Sequence, residues 1–305
     1  MGGVDGVAIS LVLGSALWVQ AQPAPKETAV APVVDVEPEI PVPRTENDKL
    51  RWVGSFDKAR AEAALRNVPI LVVLGEDKNT GLSSMLGKVF FQQSFANEAR
   101  DSIVPLIAMK GLDHDGDEQL VGGEPVKICK FFSVPCKEHD ESFERLWSGM
   151  VFRSYWGPIM ILLRPDGSEI LRIEGSEHGQ ERILEEIGYA VKQVGPGLGE
   201  SEYRKQIDRV VRARKLLSAG QVQKALKELS RLESAGTEGF VEFERREREK
   251  IDAEGQAALT AIVENANPEH RSRTQNELRA LIRAYAGLPV EEQAQAALDQ
   301  MDQTR

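Results

Sequence analysis

The sequence predicts an α/β protein, a central sheet with flanking helices followed by an all-α helical bundle, on three observations. Residues 70–74, Ile-Leu-Val-Val-Leu, are a continuous apolar run of strand length, the pattern of a parallel strand buried on both faces. Residues 159–163 and 170–173 are two more apolar runs, separated by the turn-forming Pro165, Asp166, Gly167 and Ser168, and they predict two antiparallel strands. From residue 200 onward the strand-like runs stop and apolar positions recur at helical spacing.

A chain of 305 residues has the length of about two domains, and 41% apolar with 28% charged residues is the composition of a chain that builds a core. The formal charge is −10, but residues 200–305 hold 18 Lys and Arg against 19 Asp and Glu, so the excess acid lies in the front part. No basic stretch interleaved with aromatics exists to track phosphates, which excludes nucleic acid as the expected partner.

In chain order, residues 7–19 form an uncharged, mostly apolar run of the length of a signal-peptide core, shorter than the about 20 residues that span a bilayer. Val19 and Ala21 offer small residues at the −3 and −1 positions of a cleavage site; residues 1–6 contain Asp5 and no Lys or Arg, which also suits a short uncleaved anchor. Residues 1–21 are therefore expected to be a signal peptide or membrane tether, and the protein to be exported to the periplasm or cell envelope. Residues 22–47 carry six prolines and no aromatic residue, a disordered linker by composition. Two folded parts should follow, 48–195 and 200–305, with Gly195, Gly197 and Gly199 marking the boundary.

Ser55 can cap a helix whose Phe56, Ala59, Ala63 and Ala64 share a face, with Asn67 and Pro69 at its end. A second strand is expected at 103–109. The acidic stretch 111–118 does not make a calcium loop: counted from Asp113, Gly116 falls at position four and Glu124 at twelve, where an EF-hand needs glycine at six. His114 lacks the further His or Cys ligands of a zinc site, and His139, His178 and His270 lie in polar sequence and are expected on the surface. No metal or cofactor is expected.

Trp52 followed by Ser-Phe-x-x-Ala, a helix and Val-Pro-Ile-Leu-Val-Val-Leu, with Pro158 opening a later strand and a Pro-Asp-Gly turn after it, resembles the exported proteins of the thioredoxin-like family over residues 50–195. In that family the strand leads into a Cys-x-x-Cys loop at a helix start, beside a cis proline. The resemblance aligns those cysteines with Asn79 and Leu82, so this loop cannot exchange a disulfide. It also implies that the helix ending near Phe132 leads almost directly into the proline strand, which makes the 21 residues between Cys136 and Pro158 an insertion beside the empty site. Its aromatics either cover a core or line a peptide or protein groove formed by Asn79, Leu82, Trp147, Phe152, Tyr155, Trp156 and Pro158.

Cys129 and Cys136 are the two cysteines of the chain. Three readings stand: a structural disulfide pinning a helix end to the next turn, a relocated redox pair helped by Lys127, Lys130 and Lys137, or two thiols. A helix at 180–193 should carry Ile183, Leu184, Ile187 and Val191 on one stripe. Helices at 202–217 and 221–232 resemble a tetratricopeptide-type hairpin without a second copy; a helix from 239 carries residues 244–250 as a solvated charged face, and helices at 271–286 and 290–303 complete the bundle. No Ser/His/Asp or paired-carboxylate set stands out. The expected function is a non-catalytic thioredoxin-like module of the envelope that binds another protein or peptide, the alternative a thiol-disulfide oxidoreductase or isomerase using Cys129 and Cys136.

Overall fold

The computed structural model describes residues 50–76, 80–111, 116–121, 123–149, 158–232 and 236–303. The expected leader and linker therefore lie outside the described residues, as do Asn79, His114, Phe152, Tyr155 and Trp156.

Helix α1 is Phe56–Arg66, opened by Ser55, whose hydroxyl accepts from the Lys58 amide at 3.4 Å, and closed by Asn67 in the left-handed region (φ 55°). An asparagine tolerates that conformation, which reverses the chain into strand β1, Ile70–Glu76. Helix α2 (Thr80–Met85) runs into a π-helical turn (Leu86–Phe90), followed by α3 (Gln93–Ala99) and strand β2 (Val104–Lys110). Strands β3 (Gly116–Val121) and β4 (Glu124–Cys129) form a separate antiparallel hairpin, and helix α4 (Cys136–Gly149) follows. Strands β5 (Ile159–Leu163) and β6 (Glu169–Glu174) then lead to helix α5 (Gln180–Val194).

The main sheet has the order β2-β1-β5-β6. β1 runs parallel to β2, with Ile70 opposite Val104, and antiparallel to β5, with Ile70 opposite Leu163; β5 and β6 are antiparallel. The expected turn is built as the residues dictate: Gly167 takes φ 91°, its amide donates to Arg164 O at 2.9 Å, and Asp166 Oδ1 accepts from the Ser168 amide at 2.8 Å.

Alternation along the strands sorts the core into two faces. Leu71, Val73, Ile107, Met160 and Leu162 meet residues of α2, α3 and α5, including the stripe of Ile183 and Ile187. Ile70, Val72, Leu74, Leu106, Ile159 and Ile161 meet Ala59 and Ala63 of α1 and Phe143 and Leu146 of α4. The result is a three-layer α/β arrangement, as the apolar runs predict.

The helical part consists of α6 (Glu200–Ser218), α7 (Val222–Leu229), α8 (Glu238–Glu264), α9 (Arg271–Ala284) and α10 (Pro289–Gln303), around Tyr203, Ile207, Val210, Leu226, Phe240, Ile251, Leu278 and Leu298. Leu65 of α1 belongs to this second core. At Gly239 an added Cβ would lie 2.2 Å from Ala64 O, so the start of α8 rests directly on the last turn of α1 and brings a positive helix end to a negative one. The Thr237 hydroxyl donates to Leu65 O at 2.7 Å.

Arg66 is buried beside this contact. Its guanidinium donates to Glu62 Oε1, Ile103 O, Arg100 O and Leu198 O at 2.9–3.1 Å, tying α1 to the start of β2, the end of α3 and the segment before α6. Arg51 pairs with Glu62 and, at 3.3 Å, with Glu200. Burial alone would push the Glu62 carboxyl up, but the charges of Arg51 and Arg66 outweigh it and hold Glu62 below the usual carboxylate range.

Four expectations are corrected. Residues before Phe132 form strand β4 and a turn rather than a helix end. Residues 136–149, taken as part of an insertion, are the helix that covers one sheet face, with Phe143 and Leu146 in its core. His139 is fully buried, one ring nitrogen 2.8 Å from Met109 O. Within the charged run, Glu244 and Glu247 are buried against the bundle while Arg245 and Glu249 are exposed.

Replacing Arg66 with Met leaves Glu62 with Arg51 alone and three carbonyls without their donor, and should cost about 3–5 kcal/mol. All four tryptophans precede residue 157, so in urea the wild-type fluorescence and far-ultraviolet dichroism transitions should coincide and those of Arg66→Met should separate. The stability contributed by Glu62 is present above the ordinary carboxylate pKa and lost as pH falls through its lowered native value, so Glu62→Gln should flatten the acid limb of the stability profile.

Candidate functional site

β1 ends at Glu76, and the chain re-enters the described residues at α2. Leu82, where the resemblance places the second cysteine, is buried and folded back on the strand: a Cβ at Gly75 would lie 2.7 Å from Leu82 Cδ2. Pro158 is also buried; it precedes Ile159, the partner of Leu74 at the end of β1, and its carbonyl accepts from the Gly175 amide at 3.0 Å. Leu82 and Pro158 thus share one end of the sheet. Trp147 does not join them; it stacks on Phe143, centroids 5.5 Å apart, against the core of the other face. The peptide bond entering Pro158 begins at Gly157, outside the described residues.

The two cysteines come together at the ends of a closed loop. Cys129 ends β4, its amide donating to Val134 O and its carbonyl accepting from the Ser133 amide, both at 2.8 Å. Ser133 takes φ 55°, Ile128 and Pro135 form an isolated bridge, and Cys136 opens α4. Phe132 and Val134 of this loop share a buried cluster with Trp52, which meets Phe132 edge-on at 5.4 Å and Phe90 at 5.7 Å. Both are buried thiols, Cys129 with 0% and Cys136 with 1% of its surface exposed, in the core cluster that holds Leu82 and Met85.

A thiol at a helix start is ordinarily acidified. Here burial pushes the Cys136 thiol up, the neighbouring Cys129 adds to it, and Lys127 offsets only part. A buried thiol held protonated is a poor nucleophile. No group of three or more His, Cys, Asp or Glu residues suited to a metal ion occurs among the described residues, and no helix there is long and apolar enough to cross a membrane.

No protein-family model and no curated protein matches the chain. A solved structure titled "DsbH Oxidoreductase" is similar to 50% of this chain over 92% of its own length, with 13% identity and a TM-score of 0.34. The likeness is weak. It carries no information on chemistry.

What sequence reasoning missed is the β3–β4 hairpin, which projects Leu120 (78% exposed) and Val121 at its tip and is followed by exposed Phe131. Its sequence signal is the dipeptide Gly-Gly at 122–123, a hairpin-turn pair; in the structure Val121 pairs with Glu124 and Gly123 has φ 92°.

Substituting Ser for Cys136 puts a hydroxyl into this apolar packing and should cost about 1–3 kcal/mol in chemical denaturation. The native state holds the Cys136 proton more tightly than the unfolded chain, so that stability is present below the ordinary thiol pKa of about 8.5 and lost as pH rises through the raised native value. Cys136→Ala should flatten the alkaline limb accordingly.

Proposed function

We propose that the chain is a thioredoxin-like module of the cell envelope that binds another protein or peptide and does not catalyse thiol-disulfide exchange. The reading is supported by the order β2-β1-β5-β6, with one parallel pair, two antiparallel pairs and helices on both faces, which is the order expected of a thioredoxin-like sheet; the extra hairpin sits between β2 and α4. The observation that carries the reading is the burial of Cys129 and Cys136 in one core cluster with Trp52 and Phe132, with the Cys136 proton held tighter than in an exposed thiol. Exchange requires a thiolate in line with an incoming disulfide; the burial of both sulfurs and the raised Cys136 pKa speak against each. The envelope location rests on the apolar run at 7–19 and the proline-rich stretch after it.

Leu82 and Pro158 are buried, so they supply walls rather than contacts. The exposed apolar residues Leu120, Val121 and Phe131 are the contact surface of this reading, since large apolar side chains in water are stabilised by a partner. The alternative, an oxidoreductase working through Cys129 and Cys136, draws on their meeting at the start of α4.

Reduction of insulin by dithiothreitol separates the two. The protein should leave the rate at its uncatalysed value, and Cys136→Ala should behave identically; a several-fold acceleration lost in Cys136→Ala would establish the alternative. A photo-crosslinker placed at Leu120 or Phe131 should label a partner in envelope preparations while one at exposed Lys224 does not.

A further inference from the structure

The two edges of the β3–β4 hairpin are not equivalent. Val121 faces Glu124 across a two-residue turn, and such a turn closes on a hydrogen-bonded pair, so Gln119 with Val126 and Asp117 with Ile128 are the next bonded pairs. The backbone groups of Gly116, Glu118 and Leu120 on β3, and of Pro125, Lys127 and Cys129 opposite them, therefore point away from the hairpin. Two observations agree with that phase. Pro125, which has no N–H, stands at an outward position where the ladder loses nothing, and the outward Cys129 amide donates to Val134 O at 2.8 Å.

On the β4 side the edge is closed: the bridge between Ile128 and Pro135 lays the following chain along its base, and Pro125 blunts it near the tip. On the β3 side it is open. Among the described residues no hydrogen bond reaches the backbone of residues 116–121 from outside the hairpin, and residues 117–121 are all exposed. A two-stranded hairpin is marginal by itself, and a row of free N–H and C=O groups is completed by one kind of structure, another extended backbone. A second copy of β3 fits poorly. Antiparallel registers centred on Asp117 or Glu118 set a carboxylate against its own copy, and the register centred on Gln119 sets both acids against Val121 and Leu120. Residues 111–121 hold four Asp and Glu and no Lys or Arg. Asp117 meets Lys130 at 3.4 Å in an exposed pair, and Glu118 faces Lys127 across the ladder; both bases belong to the β4 side, so a strand added beyond β3 meets the acids first.

We propose that the open edge of β3 takes up an extended segment of another protein as a third strand. The backbone groups of Gly116, Glu118 and Leu120 hold it, with an apolar side chain of the segment beside Leu120 and a Lys or Arg beside Glu118. This mode rests on the protein-binding reading and specifies it: contact through the side chains of Leu120, Val121 and Phe131 alone would keep the reading and exclude strand addition.

The probes are the peptide acetyl-Thr-Val-Thr-Lys-Thr-Val-Thr-amide, a twin with Glu in place of Lys, and a twin N-methylated on the Lys and the Thr before it, which blocks both of its edges. Titrated into the full chain by nuclear magnetic resonance, the parent should bind about tenfold more tightly than either twin and slow hydrogen exchange at the outward Glu118 and Leu120 amides. Leu120→Pro, which gives β3 the device that Pro125 gives β4, should weaken binding about tenfold, and Leu120→Thr, which keeps the N–H, should weaken it less. Equal affinity of the parent and either twin, protection at the Lys127 amide in place of Glu118 and Leu120, or absence of binding would overturn strand addition. A concentration-dependent dimer in sedimentation, lost in Leu120→Pro, would assign the edge to a second copy and overturn it too. Labelling of a partner from the crosslinker at Leu120 separates the two failures: if labelling persists, only the mode is wrong, and if it is absent, the protein-binding reading falls with it. Should Leu120→Pro lose the hairpin, the N-methylated twin and the amide exchange decide alone.

Discussion

The guanidinium of Arg66 is the constraint on which the remainder of the structure depends. A buried cation of this kind is tolerated only when its donors are matched, and four acceptors from four different segments match it: Glu62 on α1, Arg100 after α3, Ile103 before β2 and Leu198 before α6. Return bonding from the Leu198 amide to Arg66 O at 2.7 Å, and from Asn67 Nδ2 to Pro196 O at 2.8 Å, ties the glycine-rich segment 195–199 to the end of α1. With Ala59 and Ala63 in the sheet's core and Leu65 in the helical core, an eleven-residue helix becomes a wall common to both.

That fixed frame bears on function. The surface above a redox site in a sheet of this topology must admit a second polypeptide to the sulfur. Here Cys129, Cys136, Phe132 and Val134 are buried in the cluster that holds Trp52, whose ring meets Phe90 and Phe132 edge-on. Leu120 and Val121, at the far end of the hairpin from Cys129, and Phe131 after it face water. The hairpin thus exposes apolar side chains, while both sulfurs are buried.

How much of this was legible in the sequence follows from what periodicity reports. The buried runs at 70–74 and 159–163, the Pro-Asp-Gly turn and the amphipathic helices from 180 onward are strong period signals, and each became the expected element. The segment Cys136–Gly149 carries a helical signal too, His139, Phe143 and Leu146 on one face, but a fold analogy that ended the preceding helix near Phe132 turned it into an insertion. His139 looked exposed because its sequence neighbours are polar, whereas the backbone of β2 offered it a carbonyl. The Arg66 network was invisible for a deeper reason. Phe56–Arg66 reads as an alanine-rich charged helix, and nothing in a local pattern says that a particular arginine will find carbonyls 34, 37 and 132 residues away.

The most direct measurement of the central claim, that this scaffold seals its thiols rather than using them, is the rate of iodoacetamide alkylation of Cys129 and Cys136 in the native protein as a function of pH, read by peptide mass spectrometry. The account predicts that both sites react orders of magnitude more slowly than in urea and that Cys136 shows no thiolate plateau below the ordinary thiol range. Rapid alkylation of native Cys136 at neutral pH, levelling off at an acidic midpoint, would contradict it.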